Sequence, residues 1–162
     1  MKKTLVLIRH AKAADPEVDQ RDFDRPLTER GKNNAVDMGR VLKQAGLQPD
    51  CILASPARRT TQTAKRIADA TGFPIDAITW IERMYHASAS TLEAEVAGLP
   101  DDVGTVFVVG HNPGITEFAG DIDPVFRIEH MPTCAVVAAT IELKEWSQFL
   151  AAGKKIFLFK HP

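Results

Sequence analysis

The 162-residue sequence has only two cysteines, Cys51 and Cys134, and no C-x-x-C spacing. That excludes a disulfide framework and a zinc knuckle, and two reduced, buried thiols are expected. An excess of one charge is also missing: 20 Lys plus Arg against 21 Asp plus Glu leave a formal net charge of −1. No protein-wide attraction for a nucleic-acid backbone or an anionic membrane follows from such a balance. The opening Met1-Lys2-Lys3 before Thr4-Leu5-Val6-Leu7-Ile8 superficially resembles a signal peptide. Arg9 and His10 cut its apolar run short of the roughly 7–15 residues a signal needs, so the segment reads as the first strand of a cytoplasmic protein. Repeats, low-complexity tracts and linkers are lacking as well.

What remains is the composition of an ordinary soluble domain, 44% hydrophobic and 25% charged, which argues against a disordered or membrane-spanning chain. The length fits a single domain over residues 1–162, enough to bury about 70% of the surface an unfolded chain exposes. Short apolar runs alternate with segments of helical periodicity, the pattern of a mostly parallel sheet covered by helices on both faces, a three-layer α/β/α fold. The strands are expected at Thr4–Ile8, Cys51–Ala54, Ile78–Ile81, Thr105–Val109, Ala135–Leu143 and Lys155–Phe159. One helix runs from a Thr28 cap to about Ala45 and stops at Gly46. A second opens on Ser55-Pro56, with serine as cap and proline in the first turn, and ends near Gly72. A short helix is expected over Thr91–Ala97, another begins at Asn112-Pro113 in the same cap-and-proline arrangement, and a helical segment spans Trp146 to Leu150.

Ligands in open α/β sheets bind beyond the carboxyl ends of the strands. Here those ends are polar: Arg9-His10, Ser55-Pro56-Ala57-Arg58-Arg59 and Gly110-His111-Asn112. Adjacent parallel strands would bring them into one crevice, and helix N-termini would add positive dipole ends. Two histidines with one or two arginines make a small electropositive pocket for a phosphoryl group, because arginine matches phosphate oxygens in pairs. A metal site competes poorly, since Arg9 beside His10 repels a divalent cation and no cluster of carboxylate or thiolate ligands is evident.

The segments Leu7-Ile8-Arg9-His10-Ala11, Leu27-Thr28-Glu29-Arg30-Gly31, Ser55-Pro56-Ala57-Arg58-Arg59-Thr60-Thr61-Gln62-Thr63-Ala64 and Val109-Gly110-His111-Asn112-Pro113-Gly114 resemble those of the histidine phosphatase superfamily. The likeness is closest to its short branch, the SixA-type phosphohistidine phosphatases. The resemblance implies a phosphoglycerate mutase-like fold and a phosphatase that needs no cofactor. It implies that His10 is the nucleophile and that Arg9, Arg59 and His111 complete the phosphate pocket with Asn112. The family's arginine spacing selects Arg59 over Arg58.

Positive neighbours would hold His10 neutral and able to attack, and the same charges would stabilise the phosphoryl oxygens in a loose transition state. The chain departs from the family's Arg-His-Gly by carrying Ala11, which is tolerable unless the turn demands glycine. Family members acting on alkoxide leaving groups use a mid-chain glutamate as acid. Glu82 sits where one would be sought, and its competing reading is a surface partner of Arg83 or Lys65. Lys12, Asp15 and Asp22 read as solvated loop charge, and His86 and His130 as locally hydrogen-bonded residues. A phosphohistidine-bearing protein is the expected substrate. The competing readings are a small phosphorylated molecule and a non-catalytic phospholigand-binding module.

Overall fold

The computed structural model describes residues 1–162. Strand β1 (Lys2–Arg9) is buried on both faces: Leu5 and Leu7 enter one apolar core, Val6 and Ile8 another. A strand of this kind needs a layer of helices on each side. α1 (Glu29–Gln44) and α2 (Arg58–Thr71) supply one layer, packing Ala35, Met38, Leu42, Ala64 and Ile67 against Val6 and Ile8. α3 (Ala89–Ala97) and α4 (Gly114–Ile122) supply the other, where Leu92, Val96, Ile115 and Phe118 meet Leu5 and Leu7. The α/β/α architecture expected from the alternating pattern is therefore present.

The remaining strands are β2 (Cys51–Ala54), β3 (Thr79–Trp80), β4 (Thr105–Gly110), β5 (Val136–Glu142) and β6 (Gly153–Lys160), in the sheet order β3-β2-β4-β1-β5-β6. β1, β2, β3 and β4 are mutually parallel, while β5 runs against both β1 and β6. Register levels the carboxyl ends: Ile8 pairs with Val109, Arg9 with Gly110, and Ala54 with Val109. His10 N–H donates to Gly110 O at 3.1 Å and Ser55 N–H to Val109 O at 3.2 Å, which extends the pairing one residue past the strands.

Thr28 caps α1 as expected, its hydroxyl accepting from Gly31 N–H at 2.9 Å, and Gly72 closes α2 in the left-handed conformation. The other two expected caps are corrected. α2 begins at Arg58 after Ala57, and the Ser55 hydroxyl accepts from Ala57 N–H at 3.3 Å, a bond to the residue before the helix instead of to its first turn. α4 begins at Gly114 after Pro113. Asn112 is not the cap, because its amide is held by Thr116 and Met131. β3 is shorter than expected, a two-residue edge strand, and α3 starts earlier, at Ala89, with Ser88 accepting from Thr91 N–H. Both cysteines are free, but only Cys134 is buried; Cys51, opening β2, is half-buried.

Candidate active site

His10 lies one residue beyond β1 and is 8% exposed. Its Nδ1 stands 2.7 Å from Ala11 O, and a carbonyl only accepts, so Nδ1 carries the proton and Nε2 keeps its lone pair. Burial pulls the His10 pKa down to about 4; the Ala11 bond opposes the shift, and Arg59, Arg9 and Arg25 reinforce it. The ring is therefore neutral at pH 7. Ala11 itself is buried, is not among the residues with positive φ, and donates its N–H to Thr63 Oγ1 at 3.0 Å. Nothing in this turn requires glycine. Thr63 Oγ1 also donates to Arg59 O at 2.7 Å, tying the strand end to the first turn of α2.

His111, beyond β4, is 3% exposed, and its ring centre is 5.4 Å from that of His10. Its Nε2 is 2.8 Å from Ser55 Oγ, at the end of β2. The only other bond of that hydroxyl is the one received from Ala57 N–H. Donation from Ser55 to Nε2 therefore uses the hydroxyl proton and leaves His111 protonated at Nδ1, a buried atom with no partner in the protein. Burial, with His10, Arg59 and His86 beside it, holds the His111 pKa well below the usual histidine range against the opposing pull of Asp22.

Arg9 donates Nη1 to Met131 O at 3.0 Å, while its buried Nε has no partner. Arg59 is 4% exposed, whereas Arg58 points outward. The Arg59 guanidinium donates Nη1 to Asp22 O at 2.7 Å and Nη2 to Asp22 Oδ2 at 2.9 Å. Two orphaned buried nitrogens, Arg9 Nε and His111 Nδ1, thus belong to a cluster of two arginines and two histidines. Such a group offers an oxyanion several donors and little to a cation, and no group of three or more His, Cys, Asp or Glu side chains is arranged to hold a metal.

Two residues singled out from the sequence stand apart. Glu82 is exposed and shares no hydrogen bond or ion pair with the cluster; neither Arg83 nor Lys65 is its partner, Arg83 pairing with Glu95 instead. The Asn112 amide is taken up at both ends, Nδ2 donating to Met131 O at 3.2 Å and Oδ1 accepting from Thr116 Oγ1 at 2.6 Å. Its side chain buttresses the loop that also receives Arg9. Lys12, Asp15 and His130 are exposed.

Three residues join the site that sequence reasoning left out. Asp22, expected to be solvated, accepts from Arg59, Arg25 and Tyr85. Tyr85 stacks on His86 with ring centres 4.1 Å apart, and both rings meet His111 edge-on. A signal existed for Tyr85 and His86: they follow β3, a fourth parallel strand, so the rule that found the other three ends extends to them. Asp22 sits in a loop without periodicity and offered none.

Residues 5–100 match the histidine phosphatase superfamily, branch 1. The chain belongs to the histidine phosphatase superfamily. Among its relatives, an uncharacterized protein of Mycobacterium tuberculosis is 37% identical over 112 residues, 69% of this chain and 67% of that protein. An uncharacterized chloroplastic protein of Arabidopsis thaliana is 31% identical over 127 residues, 72% of this chain, which spans 57% of that relative's length.

Among solved structures, a candidate phosphohistidine phosphatase SixA from Nakamurella multipartitia superposes with a TM-score of 0.83 at 30% identity, covering 100% of this chain and 97% of the other. A candidate SixA from Agrobacterium tumefaciens gives 0.82 at 26% identity, with 99% of each chain covered. The fold is the phosphoglycerate mutase-like fold of SixA, and these neighbours support a phosphatase within the histidine phosphatase superfamily. No helix of the chain is long and apolar enough to cross a membrane.

Proposed function

We propose that the protein hydrolyses phosphohistidine on a protein substrate through a covalent phosphohistidine formed on His10. The observation that carries this reading is the anchored His10 ring: Nδ1 is committed to Ala11 O, the ring is neutral at pH 7, and Nε2 is left as the attacking atom. Nε2 attacks phosphorus, the bond from phosphorus to the substrate nitrogen breaks, and its electron pair leaves with the imidazole. Water then attacks the phosphoenzyme, the bond from phosphorus to Nε2 breaks, and inorganic phosphate departs. Arg9 Nε, His111 Nδ1 and the Arg59 guanidinium face the charge that spreads over the phosphoryl oxygens. Preorganised donors of this kind supply most of the catalysis in a loose transition state.

The leaving group separates phosphohistidine from an ordinary phosphate ester. An alkoxide needs a proton at departure, and no neutral carboxylic acid stands in this cluster: Glu82 lies outside it, and Asp22 is held ionised. Burial would raise the Asp22 pKa, but hydrogen bonds from Tyr85, Arg59 and Arg25 outweigh it and keep the carboxyl well below its usual range. An imidazole departs more easily.

The test is phosphoenzyme trapping with a phosphohistidine protein, sugar phosphates and nucleotides, run beside His10→Ala. Acid-labile, base-stable label that is absent in His10→Ala, with kcat/KM highest for the phosphohistidine protein, is the expected result. Turnover that persists in His10→Ala, or is lost to a chelator, overturns the mechanism, and a higher kcat/KM for a small ester overturns the substrate.

A further inference from the structure

Four side chains converge on the carboxylate of Asp22, and one of them has no part in the steps above. Oδ1 accepts from Arg25 Nη1 at 3.0 Å, and Oδ2 accepts from Arg59 Nη2 at 2.9 Å and from the Tyr85 hydroxyl at 2.6 Å. The fourth, His86, places Nε2 3.3 Å from the same Oδ2 and 3.2 Å from Arg59 Nη2. Its ring stacks on Tyr85 and meets His111 edge-on at 5.2 Å. His86 holds this position with φ at 50°, a left-handed conformation unusual for a residue with a side chain. The corner is open to solvent, with side-chain exposures of 52% for His86 and 40% for Asp22.

An imidazole thus already sits beside the phosphate-binding arginine, flat on an aromatic ring and against an ionised carboxylate. That is the chemistry a substrate histidine would present. Resting on the phosphohistidine reading, we infer that the Asp22–Tyr85 corner is the subsite for the substrate's histidine ring, and that His86 yields its place there to that ring.

Once His86 has turned outward, Asp22 Oδ2 keeps Arg59 and Tyr85 and accepts the N–H of the substrate ring's distal nitrogen. A carboxylate in that position favours the protonated, cationic form of the phosphorylated ring. When Nε2 of His10 attacks, the electron pair of the breaking P–N bond stays on the leaving nitrogen. The proton stays on the distal nitrogen, and neutral imidazole departs. No acid is required, in keeping with the position of Glu82. The same carboxylate repels leaving groups that carry a second negative charge, such as carboxylates or further phosphates.

The test measures kcat/KM for a phosphohistidine peptide and for p-nitrophenyl phosphate, whose leaving group departs without a proton, in wild type, Asp22→Asn and His86→Ala. Losing the Arg59 contact lowers both activities in Asp22→Asn. Losing a charge-assisted bond to the substrate ring lowers the phosphohistidine activity about 10- to 100-fold further. An equal fall on both substrates reduces Asp22 to a support for Arg59 and overturns the inference. His86→Ala should lower KM for the phosphohistidine peptide, and a raised KM would make His86 a wall of the subsite and refute its displacement.

Tyr85→Ala, which removes the stacking face, should show the same selective loss as Asp22→Asn and covers the case in which that variant does not fold. If wild type turns over p-nitrophenyl phosphate but not the phosphohistidine peptide, the functional reading itself fails. That arm separates the two failures.

Discussion

The neutral, buried His10 makes a quantitative prediction about acid stability. In the folded protein its pKa is about 4, against 6.5 for an ordinary histidine. The folded value is the lower one, so between these limits the unfolded chain binds more protons and stability rises with pH. Well above pH 6.5 both states are neutral and His10 contributes no slope; as pH falls through 6.5 toward 4, stability is lost. The shift of about 2.5 units corresponds to about 3 kcal/mol in full, of which about 2.5 kcal/mol is already lost at about pH 4.5.

His10→Asn isolates this effect, because the asparagine amide reaches about where Nδ1 lies and can still donate to Ala11 O, yet does not titrate. Urea unfolding of both proteins at several pH values from about 7 to 4.5 gives the difference in stability at each. His111, Asp22 and the other groups occur in both proteins and largely cancel. The variant should gain on wild type by about 2.5 kcal/mol across that range. Two curves that run parallel with pH would refute a neutral, desolvated His10 and with it the account of why Nε2 is ready to attack.

Ser55→Ala should lower kcat about 10- to 100-fold with little change in KM, because it leaves His111 without the bond that selects its tautomer, and Ser55→Thr should restore much of the loss. Glu82→Gln should leave kcat/KM on a phosphohistidine peptide within about twofold of wild type, since this exposed side chain makes no hydrogen bond or ion pair with the cluster. Gly114→Ala should destabilise the fold by about 1–3 kcal/mol in urea titrations and raise KM. A Cβ at Gly114 would fall 1.9 Å from Ala87 O, and the backbone that must move carries Tyr85 and His86.

The elements that located the candidate site from sequence were those with strong local signals. β1 and β4 are runs of branched apolar residues that can only be buried strands, and a parallel sheet sends their polar ends to one side. Arg9, His10 and His111 were therefore legible before any contact was known. Arg59 was legible only through the family spacing, and its burial beside an exposed Arg58 shows which side of α2 faces the pocket. Ser55 and Asn112 were misread as caps because cap-proline pairs normally begin helices. Here other partners take up those polar groups: the distant His111 for Ser55, and for Asn112 the side chain of Thr116 within α4 together with the distant Met131 carbonyl.

The sequence by itself determined the layered α/β/α plan, the parallel strands and the two histidines at their ends, since periodicity and burial act over neighbouring residues. Only the tertiary structure decided the corner where Asp22, Tyr85 and His86 meet Arg59. Asp22 lies 37 positions from Arg59 and 63 from Tyr85, and nothing local distinguishes it from its solvated neighbours. Its role arises from the folded positions of Arg59 and Tyr85, which bring two donors to one carboxylate oxygen and hold the charge there.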